Sequence, residues 1–148
     1  MKDAAQPTPM QATRILETAL YAPDLVEAEQ FYVSVFGLEP ITRFPPRGIA
    51  LRSGVSALLI FDPGYTRIPA GAIPHHGTEG AGHVAFLASA ESLPRWREQL
   101  ARHGVAIESE VDWPEGGRSI YVRDPAGNSV ELAPPTIWGG LGMRAAMG

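Results

Sequence analysis

One order of elements, strand, helix and three strands, occurs twice in this sequence, and that repetition limits the folds open to it. Glu17-Thr18-Ala19-Leu20 lies over His83-Val84-Ala85-Phe86, and the glycine stop after each helix, Gly37 and Gly104, follows with one residue inserted. Further on, Arg47-Gly48-Ile49-Ala50-Leu51-Arg52 matches Arg118-Ser119-Ile120-Tyr121-Val122-Arg123, and Leu59-Ile60-Phe61-Asp62-Pro63 lies over Glu131-Leu132-Ala133-Pro134-Pro135. Few letters are shared, so element order carries the repeat. A lone βαβββ unit needs a partner for its sheet, and two units side by side supply it.

The elements follow from local pattern. Arg14 to Tyr21 alternates as a strand. Asp24 is placed to cap a helix, with Glu27 three residues on. Leu25, Ala28, Phe31, Tyr32 and Val35 recur at helical spacing up to Gly37, which enters the left-handed cap conformation cheaply. Strands are predicted over 38–43, 48–52 and 57–61, with Ser53-Gly54 as a turn. Asp62 to Gly80, rich in Pro and Gly, reads as a long connection, and its His75-His76 pair carries no chemical reading of its own. The second copy is predicted as strand 83–87, helix 92–103, strand 105–110 and a hairpin of 118–123 with 129–133 across Asp124-Pro125-Ala126-Gly127-Asn128. Phe31, Tyr32, Trp96 and Leu100 are assigned to the core. The resulting organisation is a disordered lead-in at 1–13, an N-terminal module at 14–63, a connection at 64–79, a C-terminal module at 80–135 and a tail at 136–148. Ile137, Trp138 and Leu141 suggest that part of the tail packs.

Composition narrows the function. The 148 residues carry a net charge of −4 with no Lys/Arg run, so no basic footprint for nucleic acid or an anionic membrane is present. No cysteine occurs, which excludes disulfides, thiolate metal sites and a cysteine nucleophile. No apolar run is long enough for a membrane span, the start lacks a signal-peptide pattern, and a cytoplasmic location is expected.

The strongest chemical hint is a pair. His83 sits in the first strand of the second unit and Glu131 in the last. If those strands are neighbours, an imidazole and a carboxylate share one sheet face. Ser119, Tyr121 and Arg123 alternate with Ile120 and Val122, so a polar face can line the same space. Tyr121 is a candidate to hydrogen-bond a ligand, and Arg123 or Arg118 to hold an anionic group.

The chain resembles the vicinal oxygen chelate superfamily of glyoxalases, bleomycin-resistance proteins and extradiol dioxygenases over residues 14–135. The resemblance rests on Leu20-Tyr21-Ala22-Pro23-Asp24-Leu25, Phe31-Tyr32, Phe36-Gly37-Leu38, Gly82-His83-Val84-Ala85-Phe86, Gly117-Arg118-Ser119-Ile120-Tyr121 and Asp124-Pro125-Ala126-Gly127-Asn128-Ser129-Val130-Glu131-Leu132. It implies an α+β fold of two βαβββ modules forming a cupped mixed sheet with helices outside, around a divalent metal that chelates neighbouring substrate oxygens. The family's ligand positions fall on Glu17, Leu59, His83 and Glu131. Leu59 cannot bind a metal, so the implied set is Glu17, His83 and Glu131, with Glu17 and Glu131 as candidate catalytic carboxylates. One imidazole and two carboxylates favour Mn²⁺ or Mg²⁺, with Zn²⁺, Fe²⁺ and Ni²⁺ within reach of the same donors.

Two functions fit. The first is a metal-dependent enzyme acting on a small oxygen-rich substrate, as a lyase or isomerase or as a ring-cleaving dioxygenase. The second is a metal-free protein that sequesters a small molecule in the cup. The resemblance also implies a homodimer. The long connection permits exchange of modules, which would bring Glu17 to His83 and Glu131 of the other copy.

Overall fold

The computed structural model describes residues 4–141, and residues 4–16 are exposed and without regular structure. The first module contains β1 (Glu17–Tyr21), α1 (Leu25–Phe36), β2 (Glu39–Phe44), β3 (Gly48–Ser53) and β4 (Ser56–Phe61). A short helix α2 (Pro63–Thr66) follows. The second module contains β5 (His83–Leu87), α3 (Leu93–Arg102), β6 (Ser109–Asp112), β7 (Arg118–Arg123) and β8 (Ser129–Ala133). The sheets are ordered β1-β4-β3-β2 and β5-β8-β7-β6. In each, the first strand runs parallel to the last and the other pairings are antiparallel. The fold is α+β, two modules of one topology.

Local chemistry sets the boundaries. Asp24 accepts a hydrogen bond from the Glu27 amide at 3.0 Å and so satisfies a free donor of the first turn of α1. Gly37 ends that helix at φ 69°, a conformation a side chain would oppose. Three expectations need correction. The stretch predicted as a strand from 105 is a loop over 105–108: the Val105 amide returns to the Leu100 carbonyl as part of the helix exit, the Glu108 amide donates to the Tyr121 carbonyl, and the regular ladder starts at Ser109 opposite Tyr121. The first strand, predicted from Arg14, begins at Glu17; within the connection, Asp62 accepts from the Gly64 amide and caps α2. The β3–β4 turn is Gly54-Val55, since Ser53 already pairs with Ser56.

The apolar core lies between the helices and one face of each sheet. Tyr32, Leu51, Ile60, Leu100, Ile120 and Leu132 are buried there. Phe36 stacks on Phe86 at 5.2 Å and tilts against Trp96 at 5.7 Å, joining the modules through an aromatic cluster. The opposite faces of both sheets hold the residues with chemistry. In the tail, Pro135–Trp138 forms one 3-10 turn whose Thr136 hydroxyl donates to the Gly116 carbonyl at 2.6 Å; Ile137 is half-buried, while Trp138 and Leu141 are exposed among the described residues.

Candidate functional site

Strand pairing places the second module's polar residues together. β5 and β8 are parallel neighbours with His83 opposite Ser129 and Ala85 opposite Glu131; β7 adds Tyr121 opposite Glu131 and Arg123 opposite Ser129. Because side chains alternate across a strand, His83, Glu131, Ser119, Tyr121 and Arg123 share one face.

Each end of the pair is held. The Asn128 side chain accepts from the Gly82 amide at 2.7 Å, and the Ser129 amide donates to the Gly82 carbonyl, which fixes the start of β5. His83 Nδ1 lies 3.1 Å from the Ser129 carbonyl. A carbonyl only accepts, so Nδ1 carries the proton and Nε2 is the free ring nitrogen. Nε2 lies 3.3 Å from Glu131 Oε1. Glu131 is almost fully buried, and its Oε2 accepts from Ser119 Oγ at 2.6 Å. Ser119 is oriented in turn by the Trp113 indole, which donates to Oγ at 2.8 Å and leaves the hydroxyl proton for the carboxylate. Tyr121 lies near-parallel to His83 with ring centroids 6.4 Å apart. Burial first, and then the Glu131 charge, push the Tyr121 phenol up, so it remains a neutral donor.

A neutral imidazole lone pair and a carboxylate oxygen facing each other at 3.3 Å are two acceptors, and the pair calls for a proton on Nε2 or a cation between them. The spacing suits a cation. Two donors about 2.0–2.2 Å from one ion stand roughly 3.0–3.5 Å apart at octahedral to tetrahedral angles. A histidine whose second nitrogen donates to a carbonyl, and a carboxylate anchored by a hydroxyl, are the supports such ligands use.

The other candidates stand elsewhere. Glu17 lies on β1 opposite Ala57, in the first sheet, and lines a separate cavity of about 630 Å³ with Leu59, Phe61, Phe44, Arg47 and His76. Leu59 is thus a wall of the cavity that holds Glu17, while within one chain Glu17 does not meet His83 and Glu131. Among the described residues no group of three His, Cys, Asp or Glu side chains is spaced for a metal. Both candidate arginines are engaged. Arg123 donates to Glu108 at 2.7 Å and 3.2 Å and to the Gly127 carbonyl, and Arg118 is bidentate to Asp112 at 2.7 Å and 2.9 Å.

Two contributors escaped the sequence reading. Trp113 stands outside any regular alternation, so nothing local marked it. His76 comes from the connection, where its amide donates to the Thr66 carbonyl and its ring packs edge-on to Phe61 at 4.9 Å.

A model of the Glyoxalase/Bleomycin resistance protein/Dioxygenase superfamily matches residues 14–132. The chain belongs to that superfamily. Among solved glyoxalase-superfamily structures, it is similar to lactoylglutathione lyase from Agrobacterium tumefaciens, at 41% identity and TM-score 0.83, over 87% of this chain and 98% of that one. A virulence protein from Salmonella typhimurium is 26% identical with TM-score 0.66, over 84% of this chain and 98% of that one. A glyoxalase/bleomycin resistance protein/dioxygenase from Nocardioides, at 24% identity and TM-score 0.69 over 85% of each chain, shares the fold. Members of this superfamily commonly use divalent metals and include lyases, dioxygenases and non-enzymes. No helix among the described residues is long and apolar enough to cross a membrane.

Proposed function

We propose that the protein is a metal-dependent glyoxalase-family enzyme acting on a small substrate with neighbouring oxygens, built as a homodimer whose sites are shared between copies. The observation that carries this reading is the His83 Nε2 to Glu131 Oε1 spacing of 3.3 Å, with both groups oriented by second partners. His83 and Glu131 would hold the ion, and Glu17 of a second copy would complete the set. When bound, the ion would supply Lewis-acid stabilisation of negative charge developing on the substrate oxygens.

The two carboxylates then divide the work. Glu131 is buried and tied to Ser119, which suits a fixed position. Glu17 is exposed and has no side-chain partner among the described residues, so it is the group able to take a proton next to a carbonyl and return it elsewhere. Tyr121, kept neutral, can donate to a substrate oxygen. The lyase class is supported by the relative named lactoylglutathione lyase at 41% identity. Leu59 leaves one ligand position without a donor, which favours a substrate that supplies two oxygens.

A second reading, a metal-free binding protein, draws on the apolar lining of the Glu17 cavity. Calorimetric titration of Mn²⁺, Zn²⁺ and Fe²⁺ into wild type and Glu131→Gln separates the two. Binding by wild type and none by the variant supports the enzyme. No binding by wild type, or equal binding by both proteins, gives the binding-protein reading its place.

A further inference from the structure

The first module's cavity is polar at its two ends and apolar between them. Glu17 stands opposite Ala57, whereas Tyr21 stands opposite Phe61, and Phe61 is in turn opposite Gly48. Arg47, the residue before Gly48, therefore belongs to the Phe61 end, where its carbonyl accepts from the Asp62 amide at 2.9 Å. Four residues of strand separate the Glu17 end from this one, about 13 Å at 3.3 Å per residue. Leu59, Phe61, Phe44 and Ile73 line the space.

The far end is a donor pair. Arg43, Arg67, Arg97, Arg118 and Arg123 are ion-paired, and Arg14, Arg52, Arg95 and Arg102 are exposed to water, whereas Arg47 is half-buried in the cavity wall with no carboxylate partner among the described residues. His76 lines the same cavity, and the Tyr21 hydroxyl lies 2.6 Å from its Nδ1. With the hydroxyl donating to Nδ1, the ring proton sits on Nε2 as a second donor. His76 is held by Phe61 and Tyr21 at 4.9 Å and 5.8 Å between ring centroids, so the donor is pre-positioned.

We infer that this end of the cup binds a carboxylate, and that the ligand of this site is an apolar, aromatic or branched acid. Its carboxylate meets Arg47 and His76, and its reacting oxygens lie at the Glu17 end. A guanidinium presents a planar fork that matches a carboxylate, and a partly buried, unpaired one gains most from finding it. The apolar middle suits a ring or branched chain and offers a polar peptide backbone few partners. Glu17 repels an anion only weakly across the length of the cavity. The inference rests on the cup being the ligand site, not on the metal.

The test is calorimetric binding in the presence of EDTA, with phenylbutyrate, its neutral amide, the corresponding primary amine and S-methylglutathione as probes. The acid is expected to bind about tenfold or more tightly than the amide, and more tightly than the amine or S-methylglutathione. Arg47→Gln should bring the acid's affinity down to that of the amide while leaving the amide's unchanged, which also shows that the cavity is intact. Arg47→Lys should retain part of the preference, since it keeps the charge but loses the fork. Equal binding of acid and amide, preference for the amine, preference for S-methylglutathione, or no binding of any probe overturns the inference. With metal chelated throughout, none of these outcomes bears on Mn²⁺ binding, which is tested separately.

Discussion

The Tyr32 hydroxyl donates a 2.7 Å hydrogen bond to Asp124 Oδ2 across 92 residues of sequence, and both groups are buried. It joins α1 of the first module to the β7–β8 loop of the second. The same carboxylate accepts from the amides of Ala126 and Asn128 and from the Asn128 side chain, whose Nδ2 also reaches the Tyr21 carbonyl. A loop that reads as a hairpin turn is therefore also the polar link between modules, and it sets the start of β5 that carries His83.

Tyr32→Phe should lower stability by about 1–3 kcal/mol, because Asp124 loses a donor where water cannot replace it. The loss should depend on pH. Burial first, and then Asp124, raise the Tyr32 phenol far above its ordinary value, so it ionises in the unfolded chain only. Its stabilising contribution is complete below about pH 10 and falls away as the pH rises further. Urea unfolding at about pH 8 and about pH 11 should show wild type losing more stability than the variant between the two. Parallel losses in both proteins would contradict this account.

Ser119→Ala should weaken Mn²⁺ binding by roughly ten- to a hundredfold without abolishing it, since Glu131 keeps its charge but loses the partner on Oε2. Trp113→Phe should act in the same direction and more weakly, because it leaves Ser119 free to rotate. Calorimetry on both variants checks the order.

Sharing of the site between copies predicts complementation. Glu17→Ala and Glu131→Gln should each fail to bind Mn²⁺ alone. After mixing and re-equilibration, one of the two sites in each mixed dimer has all three ligands, so about a quarter of the sites should recover. Recovery of none, or a monomer by sedimentation at micromolar concentration, removes the shared site.

Leu59→Glu should increase Mn²⁺ affinity in the dimer by adding a carboxylate to the cavity that already holds Glu17. It should also weaken binding of an apolar acid to the same cavity. A titration in which metal affinity is unchanged would separate Leu59 from the metal site.

Much of the fold was legible because its signals are local. Asp24 and Gly37 bound α1 through their own side chain and backbone freedom. The alternation of Ile120 and Val122 with Ser119 and Tyr121 placed β7's faces. The misread stretch at 105–108 has strand-like residues but lies ahead of the regular ladder that starts at Ser109, a boundary no local pattern reveals. His76 looked inert for the same reason: its partners, Tyr21 and Phe61, are brought to it by the chain's return over the first sheet.

The sequence by itself determined the repeated βαβββ unit and the phase that puts His83, Glu131, Ser119 and Tyr121 on one face, because helix and strand periods are properties of adjacent residues. Only the tertiary structure decided which candidates meet. Glu17 and His83 occupy the same place in their own units, yet strand pairing sends them to different sheets, and His83 finds Glu131 while Glu17 faces Leu59 and an apolar cavity. A repeat specifies each unit twice over and leaves their juxtaposition open. That juxtaposition is set by long-range contacts, Phe36 on Phe86 and Tyr32 on Asp124, whose energy appears only once both modules are folded.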